Sequence, residues 1–338
     1  MERIGVGIVG CGWVAGEHVK AFQADRRSEV RALVSRNVEN ATRYRDQYDL
    51  DCLITTDFGE MLEQDDVHVV VVCTPHNVHT EYVVGAAEAG KHVLAEKPMA
   101  LTLEEIRRQQ DAVRKANVRS LVSFVLHWNP LLMTIDRLID QGVFGNIFMV
   151  EVDYQHRIWM SPEEKWLGSR EQSGTAILTA GCHAIDALRW FARSPVREVS
   201  AYQTQTENPI EYPGTISVNM DFADGKVGRS TTSFDVQMPY RFHIGVYGTE
   251  ATLLDDKLYA PELCVGQKDY MQLPCDLPDS GDVEHHPFLG QASHLLDCII
   301  EDTKPFPDFD DAARTHLVCL AADKSAQERR PVALKEFE

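Results

Sequence analysis

The sequence predicts an α/β fold: a parallel sheet with helices on both faces, followed by an α+β part whose strands alternate apolar and polar residues. Two observations carry this. Over residues 4–125 short apolar runs alternate with helix-compatible segments through short connections, the pattern of successive strand-helix-strand units. Beyond residue 125 the period changes to two, as in residues 148–154, which indicates a sheet with one packed face.

The chain has 338 residues, 44% of them hydrophobic, enough for two cores, and the change of pattern divides it into domains at 1–125 and 126–338. No apolar run approaches bilayer length, and Met1-Glu2-Arg3-Ile4 leads straight into a strand without a signal-peptide segment, so the expected location is the cytoplasm, with no membrane partner. A net charge of -19 argues against nucleic acid, whose phosphates need a basic surface. The eight cysteines are scattered, several in apolar runs (Cys73, Cys298, Cys319), and none form a C-x-x-C pair; reduced thiols are expected, and no metal.

In chain order, residues 4–9 form a strand that runs into Gly10-Cys11-Gly12-Trp13-Val14-Ala15 and then a helix to about residue 24. This is the G-x-G-x-x-A fingerprint of a Rossmann-type dinucleotide site, in its required place between strand and helix. Gly10 permits the tight turn, Gly12 lets backbone approach a pyrophosphate, and the diphosphate meets the positive end of the helix dipole. Gly10, Gly12, Trp13 and Val14 are therefore expected at the cofactor. The second strand, 30–34, ends in Ser35-Arg36-Asn37 with no acid to accept from ribose hydroxyls. Arg36 can pair with a 2′-phosphate or stack on adenine, which favours NADP(H) over NAD(H).

A helix at 57–62 and a strand at 67–73 lead to Thr74-Pro75-His76-Asn77, and a helix at 80–89 is closed by Gly90. His76 and His79 have metal-like spacing, but no cysteine or acid completes a set, so a loop role beside the cofactor is expected. The strand at 91–94 ends in Glu96-Lys97-Pro98, where Lys97 stands at the carboxyl edge of the sheet and Pro98 stops the ladder at a position suited to a cis X-Pro bond. A lysine between cofactor and substrate stabilises a developing alkoxide. A helix at 103–115 and a strand at 120–125 complete the domain.

The second half opens on His127-Trp128-Asn129-Pro130 and a helix at 131–141, then strands at 148–154, 199–206, 215–222, 228–234 and 242–248. His127, Trp128, Tyr154, His156, Arg157, Trp159, Trp166 and Arg170 offer aromatic platforms beside hydrogen-bonding groups, which suit the ring faces and hydroxyl edges of a sugar. His127 and His156 rank first because they follow strand ends. His285 and His286, beside Glu284, lack further ligands for a metal. A helix at 182–192 sets His183 near its start, where the dipole keeps the imidazole neutral. Asp186, one turn on, either pairs with His183 or contacts Arg189 or another domain. Helices at 291–301 and 312–328 close the chain around Pro305 and Pro307.

Five stretches together resemble the Gfo/Idh/MocA family of glucose-fructose oxidoreductases and inositol dehydrogenases. They are the Gly10 to Ala15 motif, Thr74-Pro75 with His79, Gly90-Lys91-His92-Val93 running into Glu96-Lys97-Pro98, Gly181-Cys182-His183-Ala184-Ile185-Asp186, and the tail from 287 to 334. The resemblance implies a large open, mostly antiparallel sheet in the second domain that serves homo-oligomerisation as a dimer or tetramer. It places Thr74, Pro75, His79, Glu96 and Lys97 at the cofactor, beside the Ser35 and Arg36 already read from the end of the second strand, and gives catalysis to Lys97 and the acid/base His183. Many members carry an aspartate four residues before that histidine; here Thr179 stands there, so on the face shared by i and i+4 a hydroxyl replaces a carboxylate and is expected to orient the catalytic His183 by a neutral hydrogen bond. Tyr154, His156, His127, Trp166 and His183 are expected at the substrate. The activity implied is NAD(P)-dependent hydride transfer at a carbinol of a sugar, cyclitol or glycoside. A redox-neutral enzyme that recycles bound cofactor and a non-catalytic nucleotide-responsive protein are the alternatives.

Overall fold

The computed structural model describes residues 3–158, 162–275 and 286–337, and the chain divides into two compact units, Met1–Val125 with Pro287–Ala313 and Leu126–His286 with Arg314–Glu338. Among the described residues no helix is long and apolar enough to cross a membrane.

The first unit is built on six parallel strands, β1 (Ile4–Val9), β2 (Ser28–Val34), β3 (Leu53–Thr55), β4 (Val69–Val72), β5 (His92–Ala95) and β6 (Ser120–Val122), in the order β3-β2-β1-β4-β5-β6. All four valines of β4 are fully buried, as a central strand covered on both faces requires. The order reverses between β1 and β4, so the loops leaving their carboxyl ends diverge and open the crevice where such sheets bind ligands. Crossovers are supplied by α1 (Ala15–Ala24), α2 (Val38–Gln47), α3 (Phe58–Leu62), α4 (His79–Glu88) and α5 (Leu103–Ala116). The last opens on a Thr102/Glu105 capping box and closes on Asn117 in the left-handed region. Neither α2 nor β3 was expected from the sequence: α2 buries only Ala41 and Tyr44, too few for a stripe, and its start is fixed by the Asn37 side chain accepting from the Glu39 N–H.

The tail also contributes here. Helix Phe288–Ile300 packs on α1, with Leu295 and Leu296 fully buried and Arg27 paired to both Asp25 and Asp297. Residues 287–313 thus belong to the first unit, whereas the sequence division at 125/126 assigns everything after it to the second domain. Sequence distance hides such a return, since nothing local marks which core a helix will cover.

The second unit carries α6 (Pro130–Asp140), α7 (Arg170–Ser173), α8 (Cys182–Ala192) and, among the described residues, a nine-stranded sheet. Its strands are β7 (Ile147–Gln155), β8 (Val196–Thr204), β9 (Thr215–Phe222), β10 (Val227–Ser233), β11 (Arg241–Gly248), β12 (Thr252–Leu254), β13 (Lys257–Tyr259), β14 (Met271–Gln272) and β15 (Val332–Ala333). The order is β14-β13-β12-β11-β7-β10-β9-β8-β15, with only β7 and β10 parallel. Helix α8 lies on β7 and β10, where a Cβ on Gly228 would stand 2.9 Å from a Leu188 methyl. On the opposite face Arg229 bonds Glu151 at 2.7 Å, and Tyr247 donates to the same carboxylate at 2.8 Å. The two- and three-residue strands past residue 248 are too short for a period to show.

Candidate active site

The turn after β1 is shaped by close approach. Gly10 has φ +91°, and a Cβ there would stand 2.6 Å from the Cys73 backbone at the end of β4, so only glycine fits. Around Gly12 the space is open, with no atom within 4 Å of where a Cβ would be. Tyr44, from the unforeseen α2, pins this turn by donating to the Gly12 carbonyl at 2.7 Å. Helix α1 starts beyond Val14 without a side-chain cap, and the buried Thr74 hydroxyl at the end of β4 has no hydrogen-bond partner among the described residues. An open glycine, an uncapped helix start and an orphaned hydroxyl at the switch point fit a dinucleotide. Burial, then the Cys52 thiol, pushes the Cys11 thiol up to about 12, so it stays protonated near neutral pH. Ser35 is buried and accepts from the Asn37 N–H at 3.3 Å, while Arg36 and Trp13 (63% exposed) lie at the surface and Pro75 is half-buried.

Lys97 follows β5, half-buried, and the Lys97-Pro98 bond is cis. Beside it Glu96 is buried and bonded to His18 Nε2 at 2.8 Å. His79 is placed differently from the expectation of a loop residue touching cofactor. It is fully buried, with Nε2 at 2.8 Å from the Thr74 carbonyl and Nδ1 at 2.9 Å from that of Pro98. Its ring therefore ties the end of β4 to the turn after β5. Burial lowers the His79 pKa against the opposing pull of those carbonyls, so a neutral ring donates to one of them. His76 meets His79 edge to face at 5.6 Å, and no group of three or more metal-type side chains occurs among the described residues.

In the second unit His183 is 7% exposed on α8, but not at a helix start. The backbone is already helical at Ala176, and a π-turn over Ile177–Gly181 runs directly into α8. The dipole expected to keep this imidazole neutral thus loses its basis. The π-turn also spoils the spacing: its bonds span five residues, so Thr179 and His183 do not align as i and i+4 of an α-helix would. The Thr179 hydroxyl donates to the Ser173 carbonyl at 3.0 Å, which leaves only a lone pair for any other neighbour. Gly181 is needed where the turn meets the sheet, since a Cβ would lie 2.1 Å from the Thr232 hydroxyl.

Aromatic rings gather around His183. Tyr154 stacks on it at 6.3 Å with 12° between planes, and His156 and Tyr240 meet Tyr154 edge to face at 5.4 Å and 5.2 Å. Tyr154 and His156 were foreseen; Tyr240 was not, because it lies in a loop before β11 without a motif. Trp166 is half-buried in the turn Pro162–Gly168. His127 departs from its expected place at the substrate: it is buried, stacked on Trp190 at 4.2 Å, with Nε2 2.6 Å from Asp186. Asp186 also accepts from the Thr315 hydroxyl at 2.9 Å and stands 4.0 Å from Arg189. Its pairing with His127, 59 residues away, had no local signal. Trp159, Glu284 and His285 lie outside the described residues.

The π-turn is anchored behind by Thr175, whose hydroxyl donates to buried Asp323 at 2.7 Å. Burial pushes the Asp323 carboxyl up from 3.8 to about 6, with the Thr175 bond opposing. A carboxyl raised in the folded state contributes stability that is complete below its unfolded pKa and lost as pH rises through about 6. Asp323→Asn should accordingly raise stability at pH 8 by roughly 1–3 kcal/mol and by little at pH 4. Urea unfolding at both values checks this; an equal effect at both would exclude titration of Asp323.

A Rossmann sheet with this glycine crossing, joined in sequence to an aromatic-lined histidine on a helix that packs on a mixed sheet, has the make-up of a nicotinamide-dependent oxidoreductase. The family model described as the oxidoreductase family, NAD-binding Rossmann fold, matches residues 4–124, and the GFO/IDH/MocA C-terminal domain matches 132–254. The chain belongs to the Gfo/Idh/MocA family. It is similar to the uncharacterized oxidoreductase YrbE of Bacillus subtilis, 24% identical over 274 residues, covering 80% of this chain and 79% of that one. To the levoglucosan dehydrogenase of Pseudarthrobacter phenanthrenivorans it is 26% identical over 261 residues, covering 68% and 67%. A solved levoglucosan dehydrogenase in complex with NADH superposes with a TM-score of 0.89 at 21% identity, covering 98% of this chain and 99% of that one, a likeness of fold.

Proposed function

We propose that the protein transfers a hydride between a nicotinamide dinucleotide and a carbinol carbon of a sugar, a cyclitol or a glycoside. The first unit takes the dinucleotide at Gly10, Gly12, Trp13, Val14, Ser35, Arg36, Thr74 and Pro75, and the second takes the substrate. The observation that carries this is the setting of His183, a buried imidazole stacked on Tyr154 beside His156 and Tyr240. Such faces suit the C–H side of a sugar ring, and the histidines meet its hydroxyls. Bound dinucleotide supplies the two-electron acceptor. In oxidation His183 removes the hydroxyl proton, and Lys97 holds the oxygen as negative charge builds. Thr179, through Ser173, fixes the turn that carries His183, and Trp166 borders the substrate. The name of the levoglucosan dehydrogenase relative supports a glycoside or anhydrosugar.

The test is incubation with NAD or NADP and a panel of sugars, cyclitols and glycosides, followed by the reduced-nicotinamide absorbance band and product analysis. A net dehydrogenase accumulates reduced cofactor with substrate; a recycling enzyme forms product without it. Absence of turnover across the panel overturns both.

For the cofactor, the end of β2 offers Ser35, Arg36 and Asn37 and no carboxylate, which supports NADP(H). Arg36→Ala should raise KM for NADP(H) by about 10-fold, the worth of one charge-assisted bond, and leave KM for NAD(H) nearly unchanged. Equal changes for both would assign Arg36 to adenine stacking. The open face of the second sheet, with Tyr202 71% and Val227 48% exposed, supports a homo-oligomer, which light scattering of the wild type and Tyr202→Glu tests. Eight free cysteines support a cytoplasmic site of action.

A further inference from the structure

Beside Lys97 lies a chain of buried polar groups to which the reaction proposed above gives no task. Glu96, 8% exposed, meets His18 Nε2 with Oε1 at 2.8 Å, and accepts on Oε2 from the Lys97 backbone N–H at 3.2 Å. The Ser123 hydroxyl bonds the same carboxylate. Ser123 Oγ accepts from Gln291 Nε2 at 3.2 Å, and the Ser123 backbone N–H donates to the Ala95 carbonyl at 2.8 Å. His18 is 1% exposed, and its ring meets the edge of Phe288 at 5.0 Å. Residues from α1, from the loop after β6 and from helix Phe288–Ile300 thus converge on the carboxylate next to Lys97, all within the first unit.

An isolated carboxylate buried this deeply would take up a proton. Burial does push Glu96 up, but the His18 bond, the charges of His18 and Lys97 and the Ser123 bond outweigh it and hold the carboxyl below its usual range. Glu96 is therefore an anion and only accepts. It follows that His18 carries a proton on Nε2 and that Ser123 donates to Glu96.

We infer that His18 and Ser123 are positioning residues for Lys97, acting through Glu96. They hold the carboxylate in place, and the carboxylate in turn fixes the Lys97 backbone through its N–H and sets a counter-charge beside the ammonium. His18 also lies on α1, the helix that starts at the glycine-rich turn, so one rigid element carries both the dinucleotide seat and the support of Lys97. This rests on the role proposed for Lys97 and extends it to residues that no motif picks out.

The experiment compares kcat, KM and the Kd of reduced cofactor in wild type, His18→Leu, His18→Gln, Lys97→Met and His18→Leu with Lys97→Met. His18→Leu is expected to lower kcat roughly 10-fold with cofactor Kd unchanged, and His18→Gln, which keeps an N–H donor, to recover most of that loss. In the Lys97→Met background the same His18→Leu change should cost less than about 2-fold, because residues that act through one another are not additive. A full 10-fold loss in that background, or wild-type kcat in His18→Leu, overturns the inference. Normal turnover in Lys97→Met alone is a separate result: it removes the assignment of Lys97 and the inference with it. Should His18→Leu fail to fold, Ser123→Ala makes the same comparison with a smaller change.

Discussion

Replacing His183 with alanine is expected to lower kcat by at least ~100-fold while leaving the Kd of reduced cofactor unchanged. The size follows from what the side chain is asked to do. A carbinol proton is far too tightly held to leave unaided at neutral pH, and a positioned base that takes it as hydride departs contributes at least this much. The unchanged Kd follows from placement, since His183 lies on α8 of the second unit and the dinucleotide seat proposed at Gly10, Gly12 and Thr74 lies in the first. The acid limb of the wild-type kcat/KM profile, set by protonation of the imidazole, should vanish with the side chain. Lys97→Met should lose as much but keep that limb, because the ammonium stabilises charge and does not accept the proton. Near-normal turnover in both variants would remove the assignment.

The sequence discloses what is written locally. The Gly10 to Ala15 turn was legible because strand, turn and helix are neighbours in the chain, and the observed φ and close backbone contact give Gly10 its predicted task in the tight turn. Some element bounds followed as well: β1 falls at Ile4–Val9 and α8 at Cys182–Ala192, as predicted, whereas the two tail helices each begin three residues before their expected starts. What was illegible depended on partners far away. Nothing near His79 tells that both ring nitrogens will face carbonyls, and nothing near His127 points to Asp186. A π-turn is invisible to periodicity, because one added residue shifts the face without altering composition. The alignment of Thr179 with His183 was misplaced for that reason, because the turn between them was assumed to be α-helical.

Asp186→Leu is expected to destabilise the protein by about 3–5 kcal/mol, the cost of breaking a buried ionisable pair by removing one partner. Asp186 is 3% exposed, and both oxygens are in use, one against His127 at 2.6 Å and one accepting from Thr315 at 2.9 Å. Thr315 in turn accepts from Arg189 at 2.6 Å, so the carboxylate joins α8, the start of the second unit at His127 and helix Phe309–Glu328. Leucine fills the volume but leaves a buried imidazole and a buried hydroxyl without their acceptor. Asparagine keeps one acceptor oxygen, and the Thr315 hydroxyl can turn to suit it, so Asp186→Asn should cost only about 1–2 kcal/mol. Removing the orphan as well should recover stability: Asp186→Leu combined with His127→Leu is expected to be more stable than Asp186→Leu alone, since an apolar pair carries no desolvation cost. Urea unfolding of the three variants decides it. A loss under about 1 kcal/mol in Asp186→Leu would mean that the pair does not hold these elements together, and His127 would return to consideration as a group that faces substrate.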